Sequence, residues 1–495
     1  MESDYPLNGW LDFSGMLQPG EVYTLEAGAE CSSWNADPGV IDVQLQLIPE
    51  PANFTLLGLG SPLTGDLEAQ QTVETRGTPN LRVLAHLPLG GPTTVSDLEI
   101  EQELARPFAY VSRREDFGFT VIDLADPRDP KILLTWRIEN ADLHRGRATD
   151  SKYFKHDGRY YLVQAFQFQQ GAPDEDLGAI VFDMTGLPDP SKVKEVGRIR
   201  YPAELIGFHN IFMYKHSDGR PLLFTTTRGD HANVYDMARF LDGAEDRGLV
   251  AQLRVPETAL GEALGFAGWH DFYVAFHPES GSDRFYGGGA GGYYVMDITN
   301  LDAPELLATV TGVPGVTWGH TITPTPDGRY IVTETEYQYA PLRLFDLQPA
   351  LDGEVATVSL PISAWTANWK NLSHNHEVRW PYVFVSAYED GLQIFNMRDP
   401  RNPHTVASFD TYDGPHKVGF CSDNVCNGAF GVDVRNADGL IVISDMATGF
   451  WAFSWEGFDG WSGGDWGVPD ISSVQDWEKG PQRAPVTADA GADAE

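Results

Sequence analysis

No apolar run in this sequence approaches the roughly 18 residues that a membrane-spanning helix needs, which excludes such a span. Basic residues are scarce: 34 Lys and Arg stand against 71 Asp and Glu, a formal net charge of -37. That field repels nucleic acid and anionic membranes, excludes both as expected partners, and concentrates cations. The opening MESDYPLNGW has neither a basic stretch nor an apolar one, so no secretory signal is legible in it. Cysteine is limited to three residues. Cys31 stands apart, while Cys421 and Cys426 in CSDNVC suit either a disulfide in an oxidising compartment or inert thiols. A zinc site built on that pair alone is not expected, because zinc takes four ligands and the spacing is not that of a zinc knuckle. There is no Gly-x-Ser-x-Gly elbow and no phosphate-cradling Walker loop, and nothing points to a Ser-His-Asp triad. GGGAGGYYV is rich in glycine but leads into a strand pattern, so it reads as a blade loop and not as a dinucleotide fingerprint.

What the sequence has is a repeat. A period-2 apolar run closing on a polar residue, often before a Pro-containing turn, recurs as FTVIDLADPRDP, AIVFDMTGLPDP, ANVYDMARF, YYVMDITNLDAP, LRLFDLQPA, LQIFNMRDPRNP and FWAFSWEGF. Its anchors are Asp123, Asp183, Asp236, Asp297, Asp346, Asn396 and Ser454, spaced by roughly 50–60 residues. Upstream of four anchors lie Asp-Gly pairs between apolar alternations, in HDGRYYLVQAF, HSDGRPLLFTT, TPDGRYIVTET and NADGLIVISD, a hairpin signal. Four strands per unit and seven units predict an all-β, seven-bladed β-propeller. The segment LRVLAHLPL, residues 81–89, reads like an outermost strand, and the last unit lacks one. The N-terminal strand is therefore expected to close the ring and remove the exposed sheet edges. The expected organisation is an N-terminal extension or cap over 1–80, a propeller over 81–460, and a C-terminal segment with a disordered tail over 461–495. A short helix is expected at DLEAQQTVET.

The phrases GLQIFNMRDPRNPHTVASF and GFTVIDLADPRDPKILLTW resemble LVIVD repeats, over about residues 80–455. The resemblance implies a propeller and an exported protein, extracellular or periplasmic, with a cytoplasmic location left open. It implies little about activity, because propellers host many.

Aligned on their hairpins, four consecutive units begin the inner strand with histidine: HNIFMY, HDFYVAF, HTITPT and HEVRWPY, giving His209, His270, His320 and His376. The corresponding positions elsewhere read as Gln102, Asp150 and Val432. Inner strands line the channel of a propeller, so equivalent positions meet at one height around the axis. Neutral imidazoles there suit iron or copper, with zinc as a further option, and Asp150 is positioned as a fifth ligand or general base. The plain alternative is a metal-free polar funnel of water-bonded histidines. Glu334, Glu336 and Glu389 are candidate orienting partners. Asp271 and Glu377 follow candidate ligands directly, so strand alternation turns them away. His144 and His374 flank inner strands at a substrate entrance, and His156 and His216 fall in surface turns. His86, His231, His277, His404 and His416 share no position. Trp269, Trp318, Trp365 and Trp369 lie near the inner strands, as core or as the wall of an apolar pocket.

Two functions compete. One is a metal-dependent oxidoreductase acting on a small molecule at the channel mouth. It is similar by analogy to carotenoid-cleaving oxygenases, which hold iron with four histidines on the axis, and to selenium-binding proteins related to methanethiol oxidases. HDFYVAF is loosely similar to a histidine motif of the first group. The other is a non-enzymatic exported propeller that binds a protein, glycan or surface polymer. The sequence does not set an oligomeric state.

Overall fold

The computed structural model describes residues 76–91, 93–256, 268–277, 279–336, 340–368, 371–412, 427–461 and 477–478. The extension up to residue 75 with its expected helix, the three cysteines, Trp369, His416 and nearly all of the expected tail lie outside them.

Among the described residues, strands form seven four-stranded antiparallel sheets, each a meander of consecutive strands except the one that closes the ring. The innermost strands of blades 1 to 7 are Leu98–Ile100, Gly146–His156, Ile211–Lys215, Trp269–His277, Ile322–Pro324, Asn375–Arg379 and Ala429–Val434. Each touches the next, and the seventh touches the first, so their N-terminal ends share one mouth of a central channel. Blade 7 takes its outermost strand from the other end of the chain: Leu81–Leu87 pairs antiparallel with Gly449–Trp455, Leu81 opposite Trp455 and Leu87 opposite Phe450. No helix of the described residues is long and apolar enough to cross a membrane.

Burial follows position in the blade. Third strands such as Leu177–Asp183 are buried on both faces, because each sheet is covered by a neighbour on either side. Fourth strands such as Lys131–Arg137 alternate between exposed and half-buried residues at the rim. Aromatic rings knit neighbours together: Phe119 meets Phe182 at 4.9 Å between blades 1 and 2, and Trp365 stacks on Phe395 at 4.5 Å between blades 5 and 6. Each such buried side chain contributes about 1.5–3 kcal/mol.

The repeated polar anchor has a local cause. The side chains of Asp123, Asp183, Asp236, Asp297, Asp346 and Asn396 each accept the backbone N–H two residues on, ending the third strand in an Asx turn. Asp157 and Gly158 of the first Asp-Gly hairpin both have positive φ, 48° and 70°, as a two-residue hairpin turn requires.

The glycine-rich run corrects one expectation. Gly287–Gly289 closes the strand Ser282–Gly289 and Gly292 opens the next, so most of the run is strand and not loop. Its lack of side chains serves packing between blades. A Cβ on Gly288 would sit 2.0 Å from the carbonyl oxygen of His320, and one on Gly287 would meet the Trp269 ring at 2.4 Å.

Candidate metal centre

Each inner strand enters the mouth through the same pair of positions. In blades 1 to 7 the first of the pair is Ser96, Thr149, His209, His270, His320, His374 and Phe430, and the second is Asp97, Asp150, Asn210, Asp271, Thr321, Asn375 and Gly431. Most of these residues line one cavity open to solvent, together with Arg114 and Arg147. Blades 3 to 6 thus give the mouth an imidazole side, and blades 1 and 2 give it a guanidinium side.

The four rings form a chain. His209 meets His270 at 4.8 Å between centroids, His270 meets His320 at 4.3 Å, and His320 meets His374 at 5.1 Å. Ligand atoms of His270, Asp271 and His320 lie within 4.8 Å of one another, as do those of His320, Glu336 and His374. His320 belongs to both groups. Its Nε2 is 3.6 Å from Glu336, and its Nδ1 is 2.8 Å from Thr321 Oγ1.

Neighbouring acceptors fix two tautomers. His374 Nδ1–H donates to the Phe430 carbonyl at 2.8 Å while the ring stacks on Phe430, so Nε2 keeps its lone pair. Gln167 Oε1 accepts from Arg147 Nε at 2.9 Å, which sets the amide orientation. The same oxygen then accepts from His209 Nδ1 at 3.3 Å. Burial disfavours the charged form of every ring. It holds His270 down to about 4 and His374 to about 3, and His209 and His320 also fall well below the ordinary histidine value. All four are neutral at pH 7, the form that binds metal.

The structure places His376 apart from this cluster. Its Nε2–H donates to the Val332 carbonyl at 3.2 Å and its Nδ1 lies 3.3 Å from Glu334 Oε2, so both nitrogens are engaged between blades 5 and 6. His374, two residues earlier and expected only at the entrance, stands in the ring of histidines instead. Positions two apart in a strand share a face, so alternation could not separate them. The difference is about 7 Å of depth along the strand.

Asp150 is likewise not brought among the ligand groups. Its Oδ1 takes Lys152 Nζ at 2.9 Å and its Oδ2 takes the Ile211 N–H at 3.2 Å. The carboxylates that reach the histidines are Asp271 and Glu336. Asp271 was expected to point away, but a β-bulge between Trp269 and Asp271 breaks the alternation and sends both His270 and Asp271 to the mouth. Glu336, expected to orient a ligand from behind, stands beside His320 and accepts from the Tyr388 hydroxyl. Glu334 pairs with His376, and Glu389 is buried outside both groups. Gln102 and Val432 lie below the mouth layer, and Gln102 caps backbone groups of Val434 and Asn436.

Other assignments also resolve. Trp269 and Trp365 are core, donating to the Leu253 carbonyl and Thr405 Oγ1, whereas Trp318 lies edge-on to His270 at 6.0 Å. His144 is held by the Pro173 carbonyl and stacks on Phe168, away from the entrance. His216 is buried, against expectation, with Nε2 on the Ile298 carbonyl at 3.1 Å.

Beneath the histidines the channel is lined by paired charges. Lys152 reaches Asp150 and, at 3.4 Å, Glu99, while Arg379 reaches Glu377 at 2.7 Å and Asp433 at 3.7 Å. Burial pushes Asp97 and Asp433 up to about 7.

No family model matches the chain, and no curated protein matches it. Among solved structures it is similar to the WD40 β-propeller domain of Doa1, at 10% identity and a TM-score of 0.47, over 77% of this chain and 99% of that one.

Proposed function

We propose that this chain is a metal-dependent oxidoreductase that binds iron or copper at the channel mouth through His209, His270, His320 and His374, with Asp271 and Glu336 as carboxylate ligands. The observation that carries this reading is the pair of groups sharing His320, each of two histidines and one carboxylate. That donor set is the one used by non-haem iron(II) oxygenases, so the carboxylates favour iron over copper.

The residues fit such an ion. Burial keeps the imidazoles neutral, and the tethers on His209 and His374 leave Nε2 of each as the donor. His270 Nδ1 is buried without a hydrogen-bond partner, which costs about 1–3 kcal/mol in a protein that gains nothing from it. A bound metal with open positions would polarise a substrate oxygen as a Lewis acid and, as iron(II), would supply electrons to dioxygen. Trp318 and Phe430 pack against the histidines, edge-on to His270 and stacked on His374 respectively. The proposal extends to a small-molecule substrate and, on the LVIVD-like repeats alone, to an exported location.

The test is anaerobic iron(II) loading followed by nitric oxide, read by EPR. The expected result is a ferrous-nitrosyl signal that disappears in His320→Ala. Iron binding without any nitrosyl signal would mean a closed, structural site and would leave the non-enzymatic binding platform as the better reading.

A further inference from the structure

The guanidinium side of the mouth has no role in holding a metal. Arg114 follows the second strand of blade 1, Arg147 lies near the start of the inner strand of blade 2, and both line the cavity that the histidines line. Among the described residues neither makes an ion pair within 4.0 Å. Among the described residues the Arg147 side chain makes one hydrogen bond, from Nε to Gln167. Arg114 acts on Arg147 as a like charge: burial, then Arg114, brings Arg147 down to about 10, burial also lowers Arg114, and Glu336 offsets part of this for both. Two half-buried like charges side by side, in a protein of net charge -37, cost free energy unless an anion joins them.

We propose that Arg114 and Arg147 form an anion subsite that holds the carboxylate of a small organic acid against the histidine cluster. This rests on the reading of the mouth as the working site, and names its substrate class. The planar guanidinium fork matches a carboxylate with two parallel hydrogen bonds. The overall negative field penalises a phosphate dianion more than a monoanion, which favours the carboxylate. The two guanidiniums share the lining of that solvent-open cavity with the histidines and with Phe430, so the non-ionic end of a bound acid has Phe430 as an apolar neighbour. Gln167 joins the two halves of the site, since the oxygen that positions Arg147 also positions His209.

The experiment titrates acetate, benzoate and inorganic phosphate by calorimetry into the full chain, both metal-loaded and metal-free. It uses the wild type, Arg114→Gln, Arg147→Gln and Arg147→Lys, with metal content and near-UV circular dichroism measured on each. The expected result is benzoate binding that falls by about tenfold or more in either Gln variant, with metal content unchanged. Arg147→Lys, which keeps the charge and loses the fork, is expected to fall between them and also reads the subsite should the Gln variant fail to fold. Carboxylate binding that is absent from the wild type or equal in all variants overturns the proposal, as does phosphate binding more tightly than either carboxylate. Arginine-dependent carboxylate binding in a protein that takes up no metal would leave this subsite standing and remove the metal reading instead.

Discussion

Lys152 is the clearest case of a single residue holding the channel together. It lies between Asp150 and Glu99 at 2.9 and 3.4 Å, and Asp97 also acts on it. Replacing it with Met leaves buried carboxylates without their cation. Lys152→Met is therefore expected to lose about 3–5 kcal/mol in urea denaturation; a change of under about 1 kcal/mol would mean that these acids are satisfied elsewhere. At this scale the sequence was legible in part. His209, His270 and His320 were identifiable because each stands within two residues of the start of an inner strand and is followed by Asn, Asp or Thr. SHNHEVRW offered two histidines in one strand. The pair His374-Asn375 matches His209-Asn210, and that match was the signal which the hairpin-based alignment passed over. Arg114 and Arg147 carried no signal, because what sets them apart is their shared place at the mouth with no ion pair within 4.0 Å among the described residues.

Strands and turns were the most legible elements, for a physical reason. An Asx turn needs an Asp or Asn at the end of the third strand, so the same chemistry had to recur at Asp123, Asp183 and the later anchors. Bulges were not legible. The extra residue between Trp269 and Asp271, like those between Ala148 and Ser151 and between Ala429 and Gly431, leaves no mark in a period-2 pattern. Yet the first of them decides that Asp271 faces the histidines. The glycines of Ser282–Gly289 act on the same site from the neighbouring blade. Because a Cβ at Gly288 would meet the His320 carbonyl at 2.0 Å, Gly288→Ala must displace the backbone that carries His320. Such support is worth about 10–100-fold in metal affinity. Iron affinity is expected to fall within that range in Gly288→Ala while the circular dichroism of the sheets is retained. Unchanged affinity would show that His320 tolerates the shift.

The site exists only at the scale of the whole molecule. His209 and His374 are 165 positions apart, and their rings share one mouth only because seven blades close on themselves through Leu81–Leu87 and Gly449–Trp455. A recurring position in the sequence therefore indicated a ring before any distance was known. Depth along the axis was another matter, because it depends on how each strand is set within its blade. The sharpest test uses that depth. Metal content is measured by mass spectrometry on untagged protein, after anaerobic iron(II) loading and removal of free ion, for the wild type, His374→Ala and His376→Ala. The expected result is bound iron in the wild type and in His376→Ala, and its loss from His374→Ala. A folded wild-type protein without iron, or loss from His376→Ala alone, would contradict the proposed metal centre.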